Sequence, residues 1–194
     1  MSIQSPEDLK EFPWLSMLME AYAVSDQAVK EVQDKDFDEH GFKAACSKGC
    51  IPCCYQQFIP LTTLELAGIV WYICNKMDPQ AQQSIMEVLE GYSGDRTCPM
   101  LQGPTCAVYP VRPLACRQFV VYEKACESRE DVLGTRPEQV LKLDESSIRQ
   151  VFRAMLPFYE IHTPDAQEVA LHDKYWLKQS SYMHQVDWPS LFIK

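Results

Sequence analysis

Apolar positions recur at helical spacing over much of the chain. Leu15, Leu18, Met19 and Tyr22 share one face of a predicted helix, with Pro13 near its start. Val29 and Val32 extend that face, and the charged stretch "DKDFDEH" is expected to end it. "TTLELAGIVWYICNKM" predicts a second helix. Thr62 and Glu65 have capping-box spacing, and Leu66, Ile69, Val70, Ile73 and Met77 form its apolar stripe. Cys74 lies one turn after Val70 and reads as a small core hydrophobe, outside any chemistry. "DPQAQQSIMEVLEGYSG" predicts a third helix, capped by Asp78, with Ala81, Ile85, Val88, Leu89 and Tyr92 turned inward.

The last third returns to the same interval at Ile148, Val151, Phe152, Met155 and Leu156, behind a cap at Ser146 or Ser147. Thr163 and Pro164 open another short helix, "QVLKLD" reads as a short strand, and His172 and Trp176 fall on a helix surface. Between these parts, "DRTCPMLQGPTCAVYPVRPLACRQF" carries Pro99, Pro104, Pro110 and Pro113, which exclude a long regular element. The expected fold class is mainly α: a small single helical domain over residues 1–194, with two irregular cysteine-rich metal-binding loops. No internal repeat or linker divides it.

Composition narrows the function. A chain of 194 residues with 46% hydrophobic content can bury a core without cross-links. A net charge of −9 with no basic run argues against nucleic acid. The most apolar window, "LELAGIVWYIC", is too short for a membrane span. Asp8, Lys10 and Glu11 interrupt the opening stretch too early for a signal peptide. The expected location is the cytoplasm, where thiols stay reduced.

That expectation bears on "CSKGCIPCCYQQF", which places Cys46, Cys50, Cys53 and Cys54 within nine positions. Disulfides fit poorly with a reducing compartment and with an odd total of nine cysteines. Simple packing fits poorly with "SKGC", which is too polar and flexible for a core segment. Metal remains the favoured reading. A turn through Gly49 followed by a helical turn from Pro52 converges the sulfurs. A second region, Cys98, Cys106, Cys116 and Cys126, is spread at intervals that suit loops bending to a common centre. Neither half has the paired C-x2-C knuckles of a zinc finger. Cys53 and Cys54 diverge on an extended chain or an α-helix, so each readily serves a different metal atom, and a multinuclear centre is expected.

Two Zn²⁺ ions with eight thiolates would sum to about −4, and iron–sulfur clusters on four thiolates are also negative. Arg112 and Arg117 flank Cys116 and are placed to offset that charge. With Tyr109 they are expected beside the centre or in a cofactor-binding pocket, where they can orient an anionic substrate. Thiolate ligation suits both zinc and an iron–sulfur cluster; the uneven spacing and the adjacent pair favour the cluster. Of four scattered histidines, His40 lies near enough to Cys46 to supply a ligand or a proton. A redox thiol site at Cys50 and Cys53 would require an α/β setting that the helical pattern does not offer.

Taken together, "CSKGCIPCC", the following "LTTLE" and "CPMLQGPTCAVYPVRPLACRQF" resemble the cysteine-cluster family called YkgJ-like, the zinc- or iron-chelating CxxCxxCC domain. The resemblance runs from Cys46 to about Phe119, with Cys126 as an extension. It implies metal or iron–sulfur binding by the cysteines and says little about a reaction. One branch of that family is similar to the cysteine-rich part of flagellin lysine N-methylases. This implies, as an alternative, a protein lysine N-methyltransferase-like enzyme acting on a protein substrate with S-adenosylmethionine. The chain has no Gly-rich loop after a strand to cradle such a donor, although a cluster could bind it directly. A zinc-stabilised interaction module is the third reading.

Overall fold

The computed structural model describes residues 3–47, 49–55, 58–94 and 97–192. Its architecture is mainly helical. Ser5 and Asp8 form a reciprocal capping box that starts α1 (Pro6–Glu11), and Asp8 also pairs with Lys76. The long α2 (Leu15–His40) buries Leu15, Leu18, Ala21, Tyr22, Ser25, Ala28 and Val29. The charged stretch does not end this helix as expected. It continues along the exposed side, supported by pairs such as Lys30–Asp34 one turn apart. Gly41 ends it at φ 74°, donating its N–H to the carbonyls of Asp36 and Phe37.

The predicted capping box starts α3 (Thr63–Asn75), with Thr62 and Glu65 satisfying each other's backbone N–H. The buried face is rotated from the expected stripe and centres on Leu64, Glu65, Gly68 and Ile69. Gly68 lies where α2 comes closest: a Cβ there would fall 2.2 Å from Leu18 Cδ2. Cys74 lies on the far side and is exposed, correcting its reading as a core residue. Asp78 caps α4 (Pro79–Glu90), which turns Ile85 and Leu89 inward and leaves Val88 exposed, with Met86 half-buried instead.

Two small antiparallel pairs follow. β1 (Pro60–Thr62) pairs with β4 (Ser180–Tyr182), so the chain returns at its far end to the start of α3. β2 (Leu101–Gln102) and β3 (Thr105–Cys106) form a hairpin. Next come a 3₁₀ turn (Tyr109–Val111), α5 (Leu114–Gln118) and α6 (Val132–Thr135). α7 (Glu145–Met155) packs along α2. Its cap is Asp144, which accepts the Ser147 N–H at 2.7 Å, rather than either serine. A carboxylate two positions before Ser146 closes the first turn equally well and adds charge favourable to the helix dipole.

Thr163 caps α8 (Pro164–His172) as expected. Trp176, in α9 (Tyr175–Lys178), is buried and stacks on Phe152 with ring centroids 4.4 Å apart, while His172 is exposed. The expected strand over "QVLKLD" is only an isolated bridge between Val140 and Val121. A second bridge joins Ala44 to Tyr122. Three extended pieces near residues 44, 121 and 140 are thus stitched side by side without forming full strands. Among the described residues, no helix is long and apolar enough to cross a membrane.

Candidate metal centre

That stitching positions the first cysteine. Ala45 N–H donates to the Val121 carbonyl at 2.7 Å, and Val121 N–H donates to Cys46 Sγ at 3.4 Å. The chain then turns at Gly49, whose φ of 85° suits a residue without a Cβ, and Cys50 N–H closes the turn onto Ser47. A 3₁₀ turn over Pro52–Tyr55 carries Cys53 and Cys54. The predicted turn and helical turn are both present, although Lys48 lies outside the described residues.

The second region reaches the first through the backbone, since Cys98 N–H donates to the Cys54 carbonyl at 2.7 Å. Cys106 lies on β3 and Cys116 on α5, so two of the expected loop cysteines ride on short regular elements. α5 is held to α3 by Glu65, whose Oε1 accepts the Leu114 N–H at 2.6 Å. Cys126 lies in an irregular stretch against Val121, Val132 and Val140.

The thiols shift one another's ionisation, so their sulfurs lie within electrostatic reach. Burial pushes the Cys116 thiol well up, and nearby Cys98, Cys53 and Cys106 push it further. Cys98 is raised to about 12, chiefly by burial, and Cys106 and Cys53 add to the shift. Cys106 is raised by burial and by Cys53. Cys54 hydrogen-bonds to Cys53, holding Cys53 down at about 7 and pushing its own thiol up. The adjacent thiols are therefore within reach of each other, although successive side chains on a 3₁₀ turn stand about 120° apart. Cys46, Cys50 and Cys126 form a flanking group: burial raises the Cys126 thiol, with smaller contributions from Cys46 and Cys50. Burial also leads the upward shift at Cys46, where Cys50 and Cys53 add to it.

Backbone N–H groups face several of these sulfurs: those of Met100 and Leu101 at Cys98, Val108 at Cys106 and Val121 at Cys46. Such donors stabilise thiolates and suit ligand sulfurs better than inert packing thiols. All eight cysteines of the two regions are free of disulfides. Among the described residues, no three Cys, His, Asp or Glu side chains stand in a ready-made ion-holding arrangement.

The arginines divide by role. Arg112 stacks over the Tyr109 ring at 4.1 Å and lowers the thiols of Cys53 and Cys106. Tyr109 itself is 58% exposed. Arg117 is buried and committed elsewhere: to both oxygens of Asp26, at 2.8 and 3.1 Å, and to the carbonyls of Arg112 and Pro110. It lies 3.8 Å over the Tyr22 ring, so it ties α5 to α2. Sequence reading missed Arg136, which is buried, bonds both oxygens of Glu130 and lowers the Cys126 thiol. Its "TRPEQ" setting lies beyond the last cysteine, and only the R-P dipeptide hints at it. His40 is exposed, with its ring 5.3 Å from that of Phe42.

A family model for the CxxCxxCC domain, described as a "putative zinc- or iron-chelating domain", matches residues 45–143, just over half of the chain. The chain belongs to the CxxCxxCC family. The matched range contains all eight cysteines of the two regions, and also Glu65, Arg112, Arg117 and Arg136. The first interval here, Cys46 to Cys50, is one residue longer than the family name spells, and the surplus falls in the turn at Gly49. Comparison with curated proteins and with solved structures gives no match.

Proposed function

We propose that Cys53, Cys54, Cys98, Cys106 and Cys116 hold an iron–sulfur cluster or zinc in a cytosolic single-domain protein, with Cys46, Cys50 and Cys126 extending the centre on one side. The observation that carries this reading is the grouping of five coupled sulfurs from four separate chain segments. Thiols held this close stay protonated on their own, and a bound cation is what would let them ionise together. The donor set fits soft-ligand metals.

Uptake releases protons and draws the sulfurs closer, the usual coupling of metal binding to local folding. Arg112 lies where it offsets thiolate charge, and Tyr109 beside it presents an exposed ring. When bound, a centre of this kind supplies electron transfer or Lewis acidity, or closes the fold as a structural site. Anaerobic purification followed by metal and acid-labile sulfide analysis and an absorption spectrum tests the reading. Iron with sulfide and brown colour identifies the cluster, whereas stoichiometric zinc without sulfide identifies a structural or binding site. Protein carrying no metal, with all its thiols titratable, overturns both.

A further inference from the structure

A cavity of about 590 Å³ opens beside Cys53 and Cys116. Its apolar wall includes Tyr55, Phe58, Phe119 and Leu133, and its polar groups include Arg129 and Asp131. Phe58 and Leu133 are 65% and 60% exposed, so large apolar side chains flank the space; Phe58 is braced by edge contacts with the rings of Tyr182 and His184. The volume lies in the range of small-molecule sites rather than protein-docking surfaces.

The polar groups are unequal. Asp131 is engaged as the cap of α6, accepting the Gly134 N–H at 3.1 Å. Arg129 has no acidic partner among the described residues; its guanidinium lies 5.9 Å over the Tyr55 ring. Its backbone is left-handed at φ 64°, a conformation that few non-glycine residues adopt. The surrounding turn enforces it. Glu130 N–H donates to the Glu127 carbonyl, Glu127 N–H donates to a Glu130 oxygen at 2.9 Å, and Arg136 clamps the Glu130 carboxylate. The fold thus holds at the edge of an aromatic cavity a cation with no acidic partner among the described residues.

We propose that this cavity binds a small organic acid, its carboxylate on Arg129 and its apolar body against Tyr55, Phe58, Phe119 and Leu133. The bound acid lies beside Cys53 and Cys116, and only the meaning of that neighbourhood rests on the metal reading; binding itself does not require metal. The test titrates the full chain, at measured metal content, with 4-phenylbutyrate and with 4-phenylbutyramide, followed by calorimetry and ligand-observed NMR. Saturable binding of the acid, at least about tenfold tighter than the amide, is expected. Arg129→Gln weakens the acid by a similar factor and leaves the amide unchanged, whereas Leu133→Ser weakens both; circular dichroism checks that both variants fold. Equal binding of acid and amide, an unaffected Arg129→Gln variant, or no saturation by the acid at millimolar concentration overturns the proposal. Metal-loaded protein that ignores the acid refutes the cavity reading alone, and protein that binds the acid but carries no metal after anaerobic purification, with all its thiols titratable, refutes the metal reading alone.

Discussion

Three donors converge on the carboxylate of Glu65: the N–H and hydroxyl of Thr62 at 2.8 and 2.6 Å, and the N–H of Leu114 at 2.6 Å. One buried side chain thus caps α3 and anchors the segment carrying Cys116. Glu65→Ala strands these donors away from water and should cost about 2–4 kcal/mol, read by urea unfolding. Glu65→Gln, which keeps an acceptor for one of them, should fall between. An unchanged midpoint in Glu65→Ala would show that the anchor is dispensable.

Glu130 is lowered from 4.5 to about 2, chiefly by its hydrogen bonds with Arg136. A depressed carboxyl contributes stability above its unfolded pKa and loses it as pH falls through the folded value. Wild type should therefore exceed Glu130→Gln by a constant margin in Tm above about pH 5, and the margin should shrink toward pH 2. A margin independent of pH would mean that the pair contributes no charge-linked stability. Because Glu130 also sets the turn at Arg129, the same variant should loosen the cavity edge.

At the level of elements, the helices were legible because their caps and intervals are local. Thr62, Asp78 and Thr163 were each placed correctly by residue type and the spacing to the first turn. What failed needed neighbours. The inner face of α3 is set by α2 pressing against Gly68, which no hydropathy stripe reports, and that rotation carries Cys74 to the outside. The end of α2 followed backbone geometry at Gly41 rather than charge. Gly68→Ala should cost about 1–3 kcal/mol by forcing Leu18 aside. Thermal unfolding checks this, and a neutral result would mean that α2 and α3 can slide apart at no cost.

Across the whole molecule, the cysteines were readable as a set but their partners were not. The contacts that bring them together span long separations: Arg117 to Asp26, Glu65 to Leu114, and Val121 to Cys46. None leaves a periodic trace: beside Cys116, Arg117 has the sequence position of a counter-charge, but its guanidinium braces α5 against α2. The grouping predicts an order of effects on metal content. Ser at Cys54, Cys98 or Cys116 should abolish metal retention, Ser at Cys46 or Cys126 should lower it, and Cys74→Ser should leave it unchanged. Retention should also fall as pH drops from about 8 to 6, because buried thiols must lose protons to bind. Equal loss at every position, Cys74 included, would indicate general unfolding instead.

Sulfur ligation of a shared centre is tested most directly by X-ray absorption at the edge of whichever metal co-purifies anaerobically with the full chain. The account predicts a first shell of sulfur alone at about 2.3 Å, as thiolate–metal bonds require. A shell dominated by nitrogen or oxygen, or no protein-bound metal to measure, would contradict it.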